Sequence, residues 1–135
     1  MIQRIQSVFL LVAALAFIGT GLFRHVLAME TETWILPAVI GLNGLVGIGA
    51  LVSIFMYGDR KKQLGLIFLM QYSALFALVA AFGALYLSGG LAEIPGNLEA
   101  LALLILPILG YILIRLAGAR IKKDIELVRS MDRLR

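Results

Sequence analysis

The sequence contains no cysteine and only one histidine, His25, and these absences remove most metal and redox chemistry from consideration. Without cysteine the chain can form no disulfide and offers no thiolate as a nucleophile or metal ligand. A single histidine cannot build a histidine-based metal cluster. We therefore predict no catalytic residue, no metal site and no bound cofactor.

Charged residues are also scarce, since 15% of the chain is charged whereas 61% is hydrophobic, and the mean hydropathy is +1.00. A soluble protein of 135 residues could not bury that much apolar surface. Four largely uncharged stretches are each long enough to cross a bilayer core about 30 Å thick. We predict an all-α polytopic membrane protein in which residues 1–117 form four antiparallel transmembrane helices. The predicted spans are about 5–23, 34–57, 64–87 and 98–117.

Basic residues lie almost entirely on one side of the predicted membrane. The turn at 58–63 carries three of them, and the same side holds Arg4 and every basic residue from Arg115 onward. Only Arg24 falls on the other side, so eleven of the 12 Lys and Arg residues lie together. The positive-inside rule makes that side cytoplasmic. We predict a bacterial inner-membrane protein with both termini in the cytoplasm, and topology explains the net charge of +4 more simply than nucleic-acid binding does.

The predicted spans have no acidic residue in their interior, since Glu99 lies at an outer end. Proton relays, ion pumps and intramembrane proteases generally need such groups, so these classes are disfavoured. The costly intramembrane polar residues are Asn43 and Gln71, which differ in predicted depth by about 13 Å and so need separate partners. We expect Thr20 to serve Asn43 and Ser53 to serve Gln71. We interpret them as interhelical hydrogen-bonding groups, with a ligand or permeant pathway as the alternative.

Small residues recur along the second and third spans at spacings that place them on a helix face. Small side chains let helix backbones approach closely in lipid, where packing replaces the hydrophobic drive. We predict that the two sets meet across the hairpin. A docking face for a partner helix, or the general abundance of alanine and glycine in membrane helices, are the alternatives. The packing candidates are Gly41, Gly44, Gly47, Ala74, Ala77, Ala81 and Ala84.

The segment 118–135 has a different composition, with an apolar stripe on an otherwise charged helix. We predict a cytoplasmic amphipathic helix that follows the fourth span. Because an isolated helix of this length is marginal in water, its stripe must lie against something. We favour the anionic membrane surface, with a partner protein or the turn at 60–63 as alternatives. The residues expected to dock are Ile121, Lys122, Lys123, Ile125, Val128 and Arg129.

The two ends of the chain carry a family resemblance. The relevant segments are MIQRIQS at 1–7, IKKD at 121–124, LVRS at 127–130 and DRLR at 132–135. They resemble the ends of an uncharacterised Bacteroidota family of small four-helix inner-membrane proteins, classed as a domain of unknown function. The resemblance implies four spans and a cytoplasmic tail. It implies no activity.

The predicted loops are too short to hold a soluble active site, so we expect a protein that is not an enzyme. The favoured function is that of an accessory or scaffold protein acting through helix faces and a basic tail. The alternative is a small transporter or channel, formed by an oligomer. A continuous polar path would favour transport, whereas a dry core with an exposed small-residue face would favour a partner. The expected partners are membrane lipids and either another membrane protein or a second copy of the chain.

Overall fold

The computed structural model of the protein describes residues 2–23, 34–87, 89, 92 and 96–132. Over these residues the chain is all-α, with four long helices and no strand. Each helix is long and apolar enough to cross a membrane, which confirms the predicted class of four membrane-spanning helices. The helices are α1 (Ile2–Gly19, continued by a 3-10 turn at Thr20–Phe23), α2 (Ile35–Phe55), α3 (Arg60–Leu87) and α4 (Leu98–Asp132).

The helices form a closed ring in which α1 and α3 each pack against both α2 and α4. Phe17 lies against Gly110, and Gly19 lies near Leu106, so α1 and α4 run in opposite directions. The short turn at 56–59 makes α2 and α3 antiparallel. We call the end of the bundle that holds this turn, the start of α1 and the last turns of α4 the basic end. The Lys and Arg residues of the described helices lie toward that end, apart from Arg115, which is the middle residue of α4.

Apolar side chains fill the interior and also cover the outside of the bundle. The larger of two core clusters draws on all four helices and includes the fully buried Leu10, Val46 and Ile114. Outside, Leu15 and Phe76 expose 62% and 69% of their surface. A bundle that is apolar on both faces is suited to a lipid environment rather than to water.

Glycines on α2 and α4 allow both helices to approach α1 closely. A Cβ atom on Gly110 would lie 2.6 Å from a ring carbon of Phe17, and one on Gly47 would lie 2.7 Å from Cγ1 of Ile18. Both distances are shorter than real Cβ contacts, so a larger residue would force the helices apart or displace the neighbouring side chain. The Phe17 ring is fully buried and has little room to move.

The two interfaces of α3 have the same construction. A Cβ on Gly49 of α2 would lie 2.8 Å from Sδ of Met70, and a Cβ on Gly118 of α4 would lie 3.0 Å from Cγ2 of Ile67. Each of the four interfaces in the ring therefore contains a glycine at which a Cβ would lie 3.0 Å or less from a side-chain atom of the facing helix.

Gly41 and Gly44 do not make the contact with α3 that the sequence led us to expect. A Cβ on either would meet no atom within 4 Å, because both glycines lie toward the outer surface of α2. α2 is apolar all round, so its sequence does not indicate which side faces the core. The buried small-residue stripe of α3 consists of Ala74, Ala77, Ala81 and Ala84.

The C-terminal part of α4 also differs from expectation. α4 continues without a break from Leu98 to Asp132, so the structure does not support a separate amphipathic helix from residue 118. Gly118 does not end the helix, because it is buried against α3. Pro107 removes one backbone N–H from the middle of α4 without terminating it.

Replacing Gly110 with Ala should destabilise the bundle by about 1–3 kcal/mol, because the new methyl group overlaps the buried Phe17 ring. Gly83→Ala is the matched control, since a Cβ at Gly83 meets nothing within 4 Å. The measurement is the free energy of unfolding of each purified variant in the same detergent. Equal stability of the two variants would contradict the close approach of α1 and α4.

Candidate functional site

The polar residues predicted to pair between α1 and α2 each bond within their own helix. The Thr20 hydroxyl donates to the carbonyl oxygen of Phe17, and Nδ2 of Asn43 donates to the carbonyl oxygen of Val39 at 2.8 Å. Oδ1 of Asn43 is buried with no hydrogen-bond partner in the described part of the chain. The expected Thr20–Asn43 hydrogen bond is therefore wrong, because local bonds to the preceding helical turn satisfy both donors.

A second polar group lies inside the basic end of the bundle. Nε2 of Gln63 donates to the backbone carbonyl of Ser53 at 2.9 Å, which ties the start of α3 to the last turn of α2. Oγ of Ser53 has no partner among the described residues, so the predicted Ser53–Gln71 pair is wrong. Gln71 is half-buried, with its Nε2 beside Gly118 of α4.

Sequence reasoning missed Gln63 and Gln6, both of which are 5% exposed. Gln63 directly follows three basic residues, so it was read as part of a solvated turn. Gln6 lies near the start of the predicted span 5–23. The helical spacing could have indicated that Gln63 is buried, because it precedes the buried Ile67 and Met70 by one and two helical turns.

The apolar stripe of the tail packs mainly on the protein itself. Ile121 is 1% exposed and belongs to the larger core cluster, and Ile125 packs against that cluster. Arg60 Nη1 lies 3.0 Å from Oδ2 of Asp124, which links the α2–α3 turn to α4. The favoured docking of Ile121 on the membrane surface is therefore wrong, and the turn at 60–63 is the contact that the structure shows. The other tail candidates, Lys122, Lys123, Val128 and Arg129, are exposed.

An open cleft with a volume of about 860 Å³ separates the α2–α3 turn from the last turns of α4. Arg60 and Lys61 stand on one wall, and Arg129 stands on the other. We call it the basic cleft. Its lining consists of Tyr57, Gly58, Asp59, Arg60, Lys61, Ile125, Val128 and Arg129.

Two carboxylates near the basic cleft are already engaged with cations. Asp59 lies 3.2 Å from Nζ of Lys62, and its Oδ1 also accepts a hydrogen bond from the backbone N–H of Lys62. That N–H, followed by the Lys62 side chain, holds the pKa of the Asp59 carboxyl below its usual value. Asp124 is engaged by Arg60. Lys61 and Arg129 have no carboxylate within 4.0 Å in the described chain, so the cleft carries excess positive charge.

A second concave surface lies between α2 and α3 on the outside of the bundle, with a volume of about 730 Å³. It exists because Gly41 and Gly44 present no side chain there. Its one hydroxyl, on Ser73, donates to the Leu69 carbonyl at 3.1 Å, so the surface is apolar in effect. We call it the outer groove. Its lining consists of Gly41, Gly44, Leu45, Ile48, Gly49, Val52, Leu66, Leu69, Met70 and Ser73.

Comparison with known proteins finds one family. The family model described as "Domain of unknown function (DUF4293)" matches residues 24–134. The match includes the segments at 121–124 and 127–130 and all but the last residue of the segment at 132–135, and it begins after the N-terminal segment at 1–7. No curated protein matches the chain, and no solved structure matches it.

Replacing Ile121 with Ala should cost about 2–5 kcal/mol of unfolding free energy, because it leaves a cavity in the core. Leu127→Ala is the control, since Leu127 lies on the same helix and is 45% exposed. Both variants are to be unfolded in detergent without lipid. If the two substitutions had similar small effects, the tail would not be part of the bundle core.

Proposed function

The chain belongs to the DUF4293 family, and we propose that this membrane protein is a non-catalytic accessory or scaffold subunit. In this proposal its outer groove holds a helix of another membrane protein. The observation that carries the proposal is a filled apolar interior combined with a small-residue groove that is open on the outside. Glycine at the floor of such a groove permits a close approach of helix backbones, which is what association in lipid requires.

The interior of the described bundle supports docking over transport. On α2 the inward-facing residues between Asn43 and Ser53 include Val46 and Ala50, both 0% exposed. They lie between two polar levels separated by about 15 Å along the helix axis. A permeating ion or polar solute would have to displace this packed layer, at the cost of unpaired charge in an apolar medium. A small transporter or channel is therefore the weaker candidate.

The proposed orientation places the basic end in the cytoplasm of a bacterial cell. It rests on the charge asymmetry, because the described Lys and Arg positions lie toward one end of the bundle, apart from Arg115 at the middle of α4. The accessory role would then combine a groove within the membrane with the basic cleft at the cytoplasmic surface.

Reporter fusions test this orientation. A reporter placed after Gln63 and one placed after Arg135 should both be active in the cytoplasm, because both positions follow basic segments. The same reporter inserted after Gly89, in the loop at the other end of α3, is the matched control and should report the periplasm. A cytoplasmic signal from all three, or a periplasmic signal at Gln63, would contradict the proposed topology.

Site-specific photo-crosslinking tests the outer groove in the native membrane. A photo-reactive residue at Leu45, which lines the groove and is 55% exposed, should give one adduct of defined mass. The same probe at Leu109, 49% exposed on α4, should not give that adduct. In the same Leu45 probe protein, Gly44→Leu should abolish the adduct by filling the groove. Nothing lies within 4 Å of the Gly44 Cβ position, and the free energy of unfolding of the variant is measured alongside.

The mass of the adduct separates the possible results. A mass that exceeds the monomer by something other than another 14.7 kDa chain supports a partner protein. An adduct of twice the monomer mass would indicate self-association through the groove and would overturn the proposed accessory role. No adduct at Leu45, or equal labelling at Leu109, would overturn docking in this groove.

A further inference from the structure

We infer that the basic cleft is a binding site for the phosphate-bearing headgroup of an anionic phospholipid. The inference begins with charge. Two nearby cations are neutralised within the protein, Arg60 by Asp124 and Lys62 by Asp59. Lys61 and Arg129 remain without a carboxylate partner among the described residues and line the cleft from two different helices. Because both line the same cleft, a phosphate diester bound there would be attracted by two cations.

The cleft is held open by contacts that do not involve these two free cations. The Arg60–Asp124 ion pair of 3.0 Å fixes the separation of the turn and α4. The backbone N–H of Gln63 donates to the Asp59 carbonyl at 2.9 Å, which begins α3 directly beside the cleft. The positive end of the α3 dipole adds to the attraction for an anion. The site is thus formed before any ligand arrives, which reduces the cost of binding.

The position of the cleft favours a lipid over a soluble phosphate compound. Ile125 and Val128 give the site an apolar wall, which a small hydrophilic anion would not use. Tyr57, which lines the cleft, is 67% exposed, and Phe55, the last residue of α2, is 80% exposed. Aromatic residues of this kind mark the level of lipid headgroups in membrane proteins. A headgroup in the cleft would therefore leave its acyl chains against the apolar flank of α2.

The test uses the full-length protein in a non-ionic detergent and native mass spectrometry. Phosphatidylglycerol and phosphatidylcholine are titrated separately, and the protein should retain the anionic lipid preferentially. The double variant Lys61→Gln/Arg129→Gln should bind phosphatidylglycerol about tenfold or more weakly, since each basic residue near an anionic headgroup contributes to affinity. The control Lys122→Gln/Lys123→Gln removes the same charge from exposed positions outside the cleft lining and should bind as the parent does.

Two further measurements make the outcome decisive. Arg129→Lys keeps the charge and should keep most of the affinity, whereas a loss as large as that of the double variant would contradict a charge-based site. Glycerol 3-phosphate is added as a soluble competitor and should not displace the lipid at equal concentration. Displacement by the competitor, equal weakening in both double variants, or equal binding of the two lipids would each overturn the inference.

Discussion

The separation of the four helices depends on one glycine at each interface. In lipid there is little hydrophobic drive to press helices together, so dispersion contacts at short range must hold them. Gly47, Gly49, Gly110 and Gly118 supply that short range, and each faces a side chain that takes the space a Cβ would occupy. Because the ring is closed, widening one interface would also disturb the packing of its neighbours.

The close packing explains how the polar side chains behave. When neighbouring helices lie against glycine, little room remains between them for a shared polar network. Thr20 and Asn43 turn back to carbonyls of their own helices, whereas Gln63 reaches across to another helix, at the end of the bundle where α2 stops. Oδ1 of Asn43 therefore remains without a hydrogen-bond partner in the described interior. Leaving a buried polar atom unpaired costs about 1–3 kcal/mol of stability. At the depth of Asn43, close helix packing is retained although one polar atom lacks a hydrogen bond.

The number and type of the helices could be predicted from the sequence because both depend on local properties. Hydrophobic length and the placement of charges define a span without reference to other spans. The rotation of each helix could not be predicted, since α2 is apolar on every side, and Gly41 and Gly47 look equivalent until their neighbours are known. The continuation of α4 beyond residue 117 could not be predicted for a related reason. Gly118 near the end of the apolar run looked like a boundary, whereas its role is contact with Ile67.

The length of α4 connects the packed core to the charged surface. A helix that ended near residue 117 would leave Ile121 without its place in the core and Asp124 without Arg60. Because α4 continues past the end of α2, it stands beside the α2–α3 turn and provides the second wall of the basic cleft. The same extension that completes the apolar core thus brings Arg129 into the cleft that Lys61 also lines. The Arg60–Asp124 ion pair of 3.0 Å is partly buried, with side chains 33% and 17% exposed, and it joins the two walls of the cleft. Its physical importance lies in fixing the distance between two positively charged walls that would otherwise repel each other.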